Sequence, residues 1–94
     1  MAVVVVAEIE GGNEDFYEKV SGKAMSGGGL PDGCQLHVAG PIENGWRVIT
    51  VWDSDEQFQQ FRNEQLIPAI REAGEGDRIA PKISADPVHR LITA

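Results

Sequence analysis

Gly45-Trp46-Arg47-Val48-Ile49-Thr50-Val51-Trp52-Asp53-Ser54 runs directly into a segment carrying Phe58 and Phe61. The β-branched and aromatic residues from Trp46 to Trp52 suit a pleated, half-buried strand. Ser54 then offers a helix N-cap oxygen, and Gln57, three residues on, completes a capping box. Phe58, Phe61, Leu66, Ile70 and Ala73 follow as the apolar stripe of a helix. Pro68 has no N–H to donate, so the helix should kink there or restart near Ile67.

Upstream, Ala2 to Ile9 is a short run dominated by valine, and Gly11-Gly12 breaks it. Its β-branched content favours a strand, and an unbroken apolar run implies burial on both faces. Asn13 caps a first helix, with Glu14 and Asp15 at the positive end of its dipole. Phe16, Val20 and Ala24 recur at helical spacing, flanked by Tyr17 and Met25. Ser26 to Gly33 cannot continue that helix and reads as a flexible loop. Cys34 to Gly40 forms a second strand, and Asn44-Gly45 is a strong signal for a type I′ hairpin turn. After Gly74-Glu75-Gly76, an extended segment from Ile79 to Ile92 closes the chain, bent at Asp86-Pro87.

The element order is β-α-β-β-α-β, a ferredoxin-like α+β arrangement with an antiparallel sheet and two helices on one face. Residues 1–94 are expected to form a single domain. A chain this short buries only somewhat more than ~60% of its unfolded surface. The bare face of the sheet also needs a cover. A second copy packed sheet to sheet supplies both, so a homodimer is expected.

Composition narrows the function classes. A formal charge of −7 sets the surface against nucleic-acid phosphates and anionic lipid. No stretch approaches the ~20 apolar residues of a membrane span. The N-terminal apolar run has no basic flank and stops at Glu8, unlike a secretory signal. A cytoplasmic location is the default expectation. Cys34 is the only cysteine, which excludes an internal disulfide and any multi-cysteine metal site. The two histidines and scattered carboxylates show no metal-ligand spacing. Nothing recognisably binds flavin, haem or a metal ion, so no cofactor is expected. Ser26-Gly27-Gly28-Gly29 lacks the lysine and the strand-loop-helix context of a phosphate loop. It reads as a linker or a lid beside a pocket.

A two-residue Asn44-Gly45 loop would set Glu43 opposite Trp46 and His37 opposite Trp52. Cross-strand partners share a face. That face then carries an imidazole, an indole and the Thr50 hydroxyl, while Leu36, Val38, Ile49 and Val51 form an aliphatic opposite face. A three-residue loop would separate the pair. His37 is the candidate catalytic acid/base, because imidazole titrates near neutrality. The alternative is a histidine satisfied by a backbone carbonyl. Trp52, Thr50, Arg47, Tyr17 and Phe61 are candidate ligand contacts. Trp52 reads more readily as core and Arg47 as a solvated partner of Glu43, while Tyr17 faces either the pocket or solvent. Trp46, beside the turn, reads as a lid over the barrel end or interface. Cys34 reads as a small buried residue. His89 lies on the strand at the opposite edge from His37 and is an interface candidate, since the two could meet only across a dimer.

Ile49-Thr50-Val51-Trp52-x-Ser54-x-x-x-Phe58-x-x-Phe61 resembles the strand-to-helix corner of the dimeric α+β barrel superfamily. That superfamily includes antibiotic biosynthesis monooxygenases and haem-degrading monooxygenases. His37-Val38-Ala39-Gly40-Pro41, Gly45-Trp46-Arg47-Val48 and Pro87-Val88-His89 more specifically resemble a group of small uncharacterised bacterial proteins of similar length. The resemblance spans the whole chain in element order and implies a dimeric barrel. The haem-degrading members carry a haem-ligating histidine on the second helix, where this chain has Arg71 nearby and no histidine. Ala7 and Glu8 stand where their strand-one asparagine lies, and Phe61 replaces a tryptophan. The cofactor-free members oxidise aromatic polyketides in pockets lined by tryptophan, asparagine and arginine, and Trp52 and Arg47 are of those types.

Two functions follow as expectations. One is a cofactor-independent monooxygenase acting on a small aromatic or polyketide-like molecule. The other is a non-catalytic dimer that binds a small hydrophobic ligand or a protein. A cavity lined by both His37 and Trp52 favours the first, and a filled interior favours the second.

Overall fold

Four strands and an interrupted pair of helices build the chain in the order β1 (Val3–Glu10), α1 (Glu14–Ala24), β2 (Cys34–Ile42), β3 (Gly45–Trp52), α2 (Asp55–Phe61), a π-helical turn (Arg62–Leu66), α3 (Ile67–Glu72) and β4 (Lys82–Pro87). The computed structural model describes residues 1–25, 29–72 and 81–93. The sheet order is β2-β3-β1-β4 with every neighbouring pair antiparallel. The expected ferredoxin-like α+β topology is the one observed. Ala73, Ser26-Gly28 and the start of the expected last strand lie outside the described residues. That strand ends at Pro87, with His89 exposed beyond it.

Both helix starts form as their capping residues dictate. Asn13 Oδ1 accepts from the Phe16 N–H at 2.8 Å, and Ser54 Oγ accepts from the Gln57 N–H at 3.3 Å. Pro68 explains the π-helical turn. Its ring would press on the carbonyl four residues back and its missing N–H would leave that carbonyl unpaired. The chain widens just before it, and the Ile67 N–H bonds to the Arg62 carbonyl, five residues back. A wide turn advances less per residue than an α-turn. Phe61 and Leu66, five positions apart, therefore both reach the same cavity. The expected restart at Ile67 is observed.

The hairpin between β2 and β3 differs from expectation by two residues in register. Ile42 faces Gly45, Pro41 faces Trp46 and His37 faces Thr50, not Trp52. The loop is Glu43-Asn44. Asn44 alone among the non-glycine described residues has a positive φ, at 64°, so the turn lacks the second left-handed residue of type I′. Gly45 is instead the first residue of β3. A Cβ there would collide with the carbonyl of Ile9 on β1. A shift of two preserves the faces, so His37, Thr50 and Trp52 still share one side.

Val5, Ile9, Phe16, Val20, Ala24, Trp52, Phe58 and Ala69 are buried between sheet and helices. Phe61 packs against both halves of this core. The opposite sheet face carries Val4, Val6, Leu36, Val38, Ile49 and Val51 by strand alternation. Val38 is 52% exposed there, while Val51 is buried. No described helix is long and apolar enough to cross a membrane.

Candidate functional site

The alternation of β3 sets Trp46, Val48, Thr50 and Trp52 toward the helices. On β2 a bulge does the same work for two residues of odd spacing. Cys34 faces Trp52 while Leu36 faces Val51, which leaves Gln35 as the extra residue. Cys34 and His37 consequently look into the same space, which a regular strand would forbid.

That space is a cavity of about 100 Å³ between the sheet and α1, α2 and α3. His37, Tyr17, Thr50, Trp52 and Phe61 all line it. Its walls are otherwise almost wholly aliphatic and aromatic, and among the described residues no Asp, Glu, Lys or Arg side chain lines it. A mostly apolar wall with a few convergent polar groups is what a small-molecule site requires.

At one end, the Tyr17 hydroxyl lies 2.7 Å from His37 Nε2. The Tyr17 ring packs against the indole of Trp46, centroids 5.4 Å apart. Burial holds the His37 imidazole below its ordinary value of 6.5, so it is neutral at neutral pH. With its proton on Nδ1, Nε2 accepts from the Tyr17 hydroxyl. Tyr17 is held above its ordinary value, chiefly by burial and then by the nearby Glu18 carboxylate, with the Ser21 hydroxyl opposing. The pair thus rests as a neutral donor and acceptor. Trp46 Nε1 is buried beside it with no hydrogen-bond partner among the described residues.

At the other end, Trp52 is only 1% exposed. Its Nε1 donates to Thr50 Oγ1 at 2.9 Å, and its ring meets Phe58 and Phe61 at 5.7 and 5.2 Å. This indole is core and cavity floor together. Cys34 lines the cavity with its thiol donating to the Leu36 carbonyl at 3.4 Å, and burial pushes the thiol up. That is a protonated, low-reactivity cysteine.

Arg47 is the expected ligand contact that does not reach the cavity. It stands between Glu8 and Gly40 in the sheet, exposed on the opposite face, because it follows Trp46 by one residue in a strand. It makes no ion pair with Glu43. The ion pair among the described residues is Lys23 with Glu72 at 3.2 Å. Trp46, expected as a lid over the barrel end or interface, packs on Tyr17 within the protomer. The Tyr17–His37 bond was not legible in sequence. The available signal was a second stripe, Tyr17-x-x-x-Ser21-x-x-x-Met25, beside the Phe16-Val20-Ala24 stripe, and all three of its residues line the cavity.

Neither a protein-family model nor a curated protein sequence matches the chain. Solved structures do match its fold. SnoaB, a cofactor-independent oxygenase from Streptomyces nogalater, superposes at a TM-score of 0.66 with 14% identity, over 99% of this chain and 98% of that one. A MhuD variant with two manganese protoporphyrin IX bound per active site gives 0.63 and 20%, over 98% and 99%. A provisionally named antibiotic biosynthesis monooxygenase from Deinococcus radiodurans gives 0.58 and 15%, over 100% and 98%. The protomer therefore has the same fold as these solved structures. At these identities the likeness is one of fold.

A porphyrin does not fit the residues of this cavity. No histidine lies on α2, the π-helical turn or α3 to reach an iron from the helical side. The one imidazole at the cavity, His37, already has its Nε2 engaged by Tyr17. Among the described residues no group of three His, Cys, Asp or Glu side chains is placed to hold a metal ion.

Proposed function

We propose that the protein is a cofactor-independent monooxygenase acting on a small aromatic molecule held between the sheet and the helices. The observation that carries this reading is the neutral Tyr17–His37 pair, set at the end of an apolar cavity that is also lined by Trp52. The fold likeness to SnoaB, itself a cofactor-independent oxygenase, supports it.

An electron-rich phenol docks its ring in the cavity and its hydroxyl on the pair. The Tyr17 oxygen accepts the phenol proton while its own proton passes to His37 Nε2. The phenolate supplies the electrons that dioxygen needs, so no other reductant enters. A carbon–oxygen bond forms at the ring carbon opposite the hydroxyl. The outer oxygen of that peroxide takes the proton from the same carbon and leaves as hydroxide as the O–O bond breaks, and a para-quinone remains. The released hydroxide takes the proton held by His37. One phenol and one dioxygen give one quinone and one water. General acid–base groups typically contribute 10²–10⁴-fold to such steps.

The test is oxygen uptake with electron-rich phenols, alongside optical detection of quinone. Equal amounts of oxygen consumed and quinone formed support the reading. No uptake above a His37→Ala, Tyr17→Phe double variant refutes it.

A homodimer completes this reading. The face bearing Val4, Val6, Leu36, Val38 and Ile49 is the surface through which two copies pack, since apolar patches of this kind mark association sites. Sedimentation of the intact protein should give twice the monomer mass, and Val38→Asp should shift it toward monomer.

A further inference from the structure

We infer that the cavity selects an uncharged, single-ring phenol, excluding carboxylated aromatics by charge and fused-ring molecules by size. The inference rests on the oxygenase reading for its reaction, but its binding part stands on the cavity alone.

Charge is decided by what lines the walls. Among the described residues, none of the lining side chains carries a permanent charge, and Arg47, the arginine expected there, stands on the other face of the sheet. His37 is neutral at neutral pH because burial disfavours its cation. A ligand carboxylate would enter without a counter-charge and lose its hydration, a loss that water-to-apolar transfer makes severe for ions. A hydroxyl meets no such obstacle, because the Tyr17 oxygen, whose own proton is donated to His37, keeps a lone pair to accept the ligand's O–H.

Size follows from the volume. About 100 Å³ is of the order of the ~150 Å³ apolar cavity known to take up benzene. Sites for drug-sized molecules run to roughly 300–1,000 Å³. Trp52 and Phe58 close the floor and are among the least exposed residues of the protein, so the space cannot deepen without unpacking the core.

The number of anchoring points follows from which polar groups remain open. Thr50 Oγ1 is engaged by the Trp52 indole, and the Cys34 thiol by the Leu36 carbonyl. Ser21, whose hydroxyl lies beside Tyr17, also lines the cavity, so the open polar groups gather in one cluster at the Tyr17–His37 pair, which suits a ligand with one principal hydroxyl.

The experiment is a binding panel followed by calorimetry, using para-cresol, para-toluate, toluene and naphthol. Para-cresol is chosen because its methyl group blocks the carbon that would be oxidised, so binding is read without turnover. Para-cresol should bind at least about 100-fold tighter than para-toluate, as the uncompensated charge dictates, and tighter than naphthol. Tyr17→Phe should weaken para-cresol about fivefold to tenfold, the worth of one hydrogen bond, and leave toluene unchanged. Comparable binding of para-toluate, or tighter binding of naphthol, overturns the inference. Guaiacol, whose para carbon is free, then separates the two proposals. If para-cresol binds as expected but guaiacol drives no oxygen uptake, the oxygenase reading fails while the ligand class stands.

Discussion

The cavity has two aromatic ends that use the same kinds of residue for different purposes. At the floor, Trp52 is sealed, its N–H donates to Thr50, and Phe58 and Phe61 pack on its ring. At the mouth of the polar end, Tyr17 touches Trp46 and bonds His37, and both titratable groups are displaced from their ordinary values. The floor has every polar atom of its indole satisfied by the protein. The other end keeps a paired donor and acceptor against the cavity and a buried indole N–H without a partner. An indole and a hydroxyl on one sheet face therefore do not by themselves mark a reactive site. What distinguishes the Tyr17–His37 end is a titratable pair whose neutral forms are favoured beside an apolar cavity.

Substitutions at the two ends should separate stability from chemistry. The largest effect belongs to the floor. Trp52→Ala removes the most buried side chain and should cost ~3–5 kcal/mol of stability, read by denaturant unfolding. At the other end His37→Ala should slow phenol-dependent oxygen uptake by about 100-fold or more, roughly 2.7 kcal/mol in activation energy. Its unfolding midpoint should stay close to that of the parent. If His37→Ala instead unfolds the protein and Trp52→Ala only slows turnover, the assignment of the two ends is reversed.

Thr50→Val should cost about 1–3 kcal/mol, because it strips the buried Trp52 N–H of its acceptor while keeping the side-chain shape. The pH dependence comes next. Because burial lowers the folded-state value of His37, the unfolded chain binds that proton more readily. His37 thus adds stability that is full above the unfolded value of 6.5 and is lost as pH falls through the folded value. Activity should fall over the same acidic side, with an apparent pKa for kcat/KM below 6.5. A loss of activity centred above 6.5 would identify a different base. The smallest effect is expected for Trp46→Phe, which keeps a ring against Tyr17 and removes a donor without a partner. It should change stability by less than about 1 kcal/mol.

Much of the fold was legible because local signals agreed with one another. Asn13 and Ser54 cap the helices they were expected to cap, and Pro68 forces the break before Ile67. The shared face of His37, Thr50 and Trp52 was legible too, even with the wrong pairing. The register error of two residues left the alternation intact. Asn44-Gly45 misled because glycine serves two purposes in sequence. Here it answers the close approach of the Ile9 carbonyl, not a turn. Arg47 lies on the other face because strand parity, and not residue type, sets which side a strand residue faces. The Tyr17–His37 bond could not be read at all. It depends on how α1 is rotated over β2, and residues twenty apart in sequence share no local pattern that fixes that rotation.

The most direct test of the division between the two ends is a crystal structure with para-cresol bound. The expected result is a ring in the cavity with its hydroxyl within hydrogen-bond distance of Tyr17 Oη or His37 Nε2, and the Trp52–Thr50 bond intact. A ligand whose hydroxyl displaces the Trp52 indole from Thr50, or which binds outside the cavity, would contradict it.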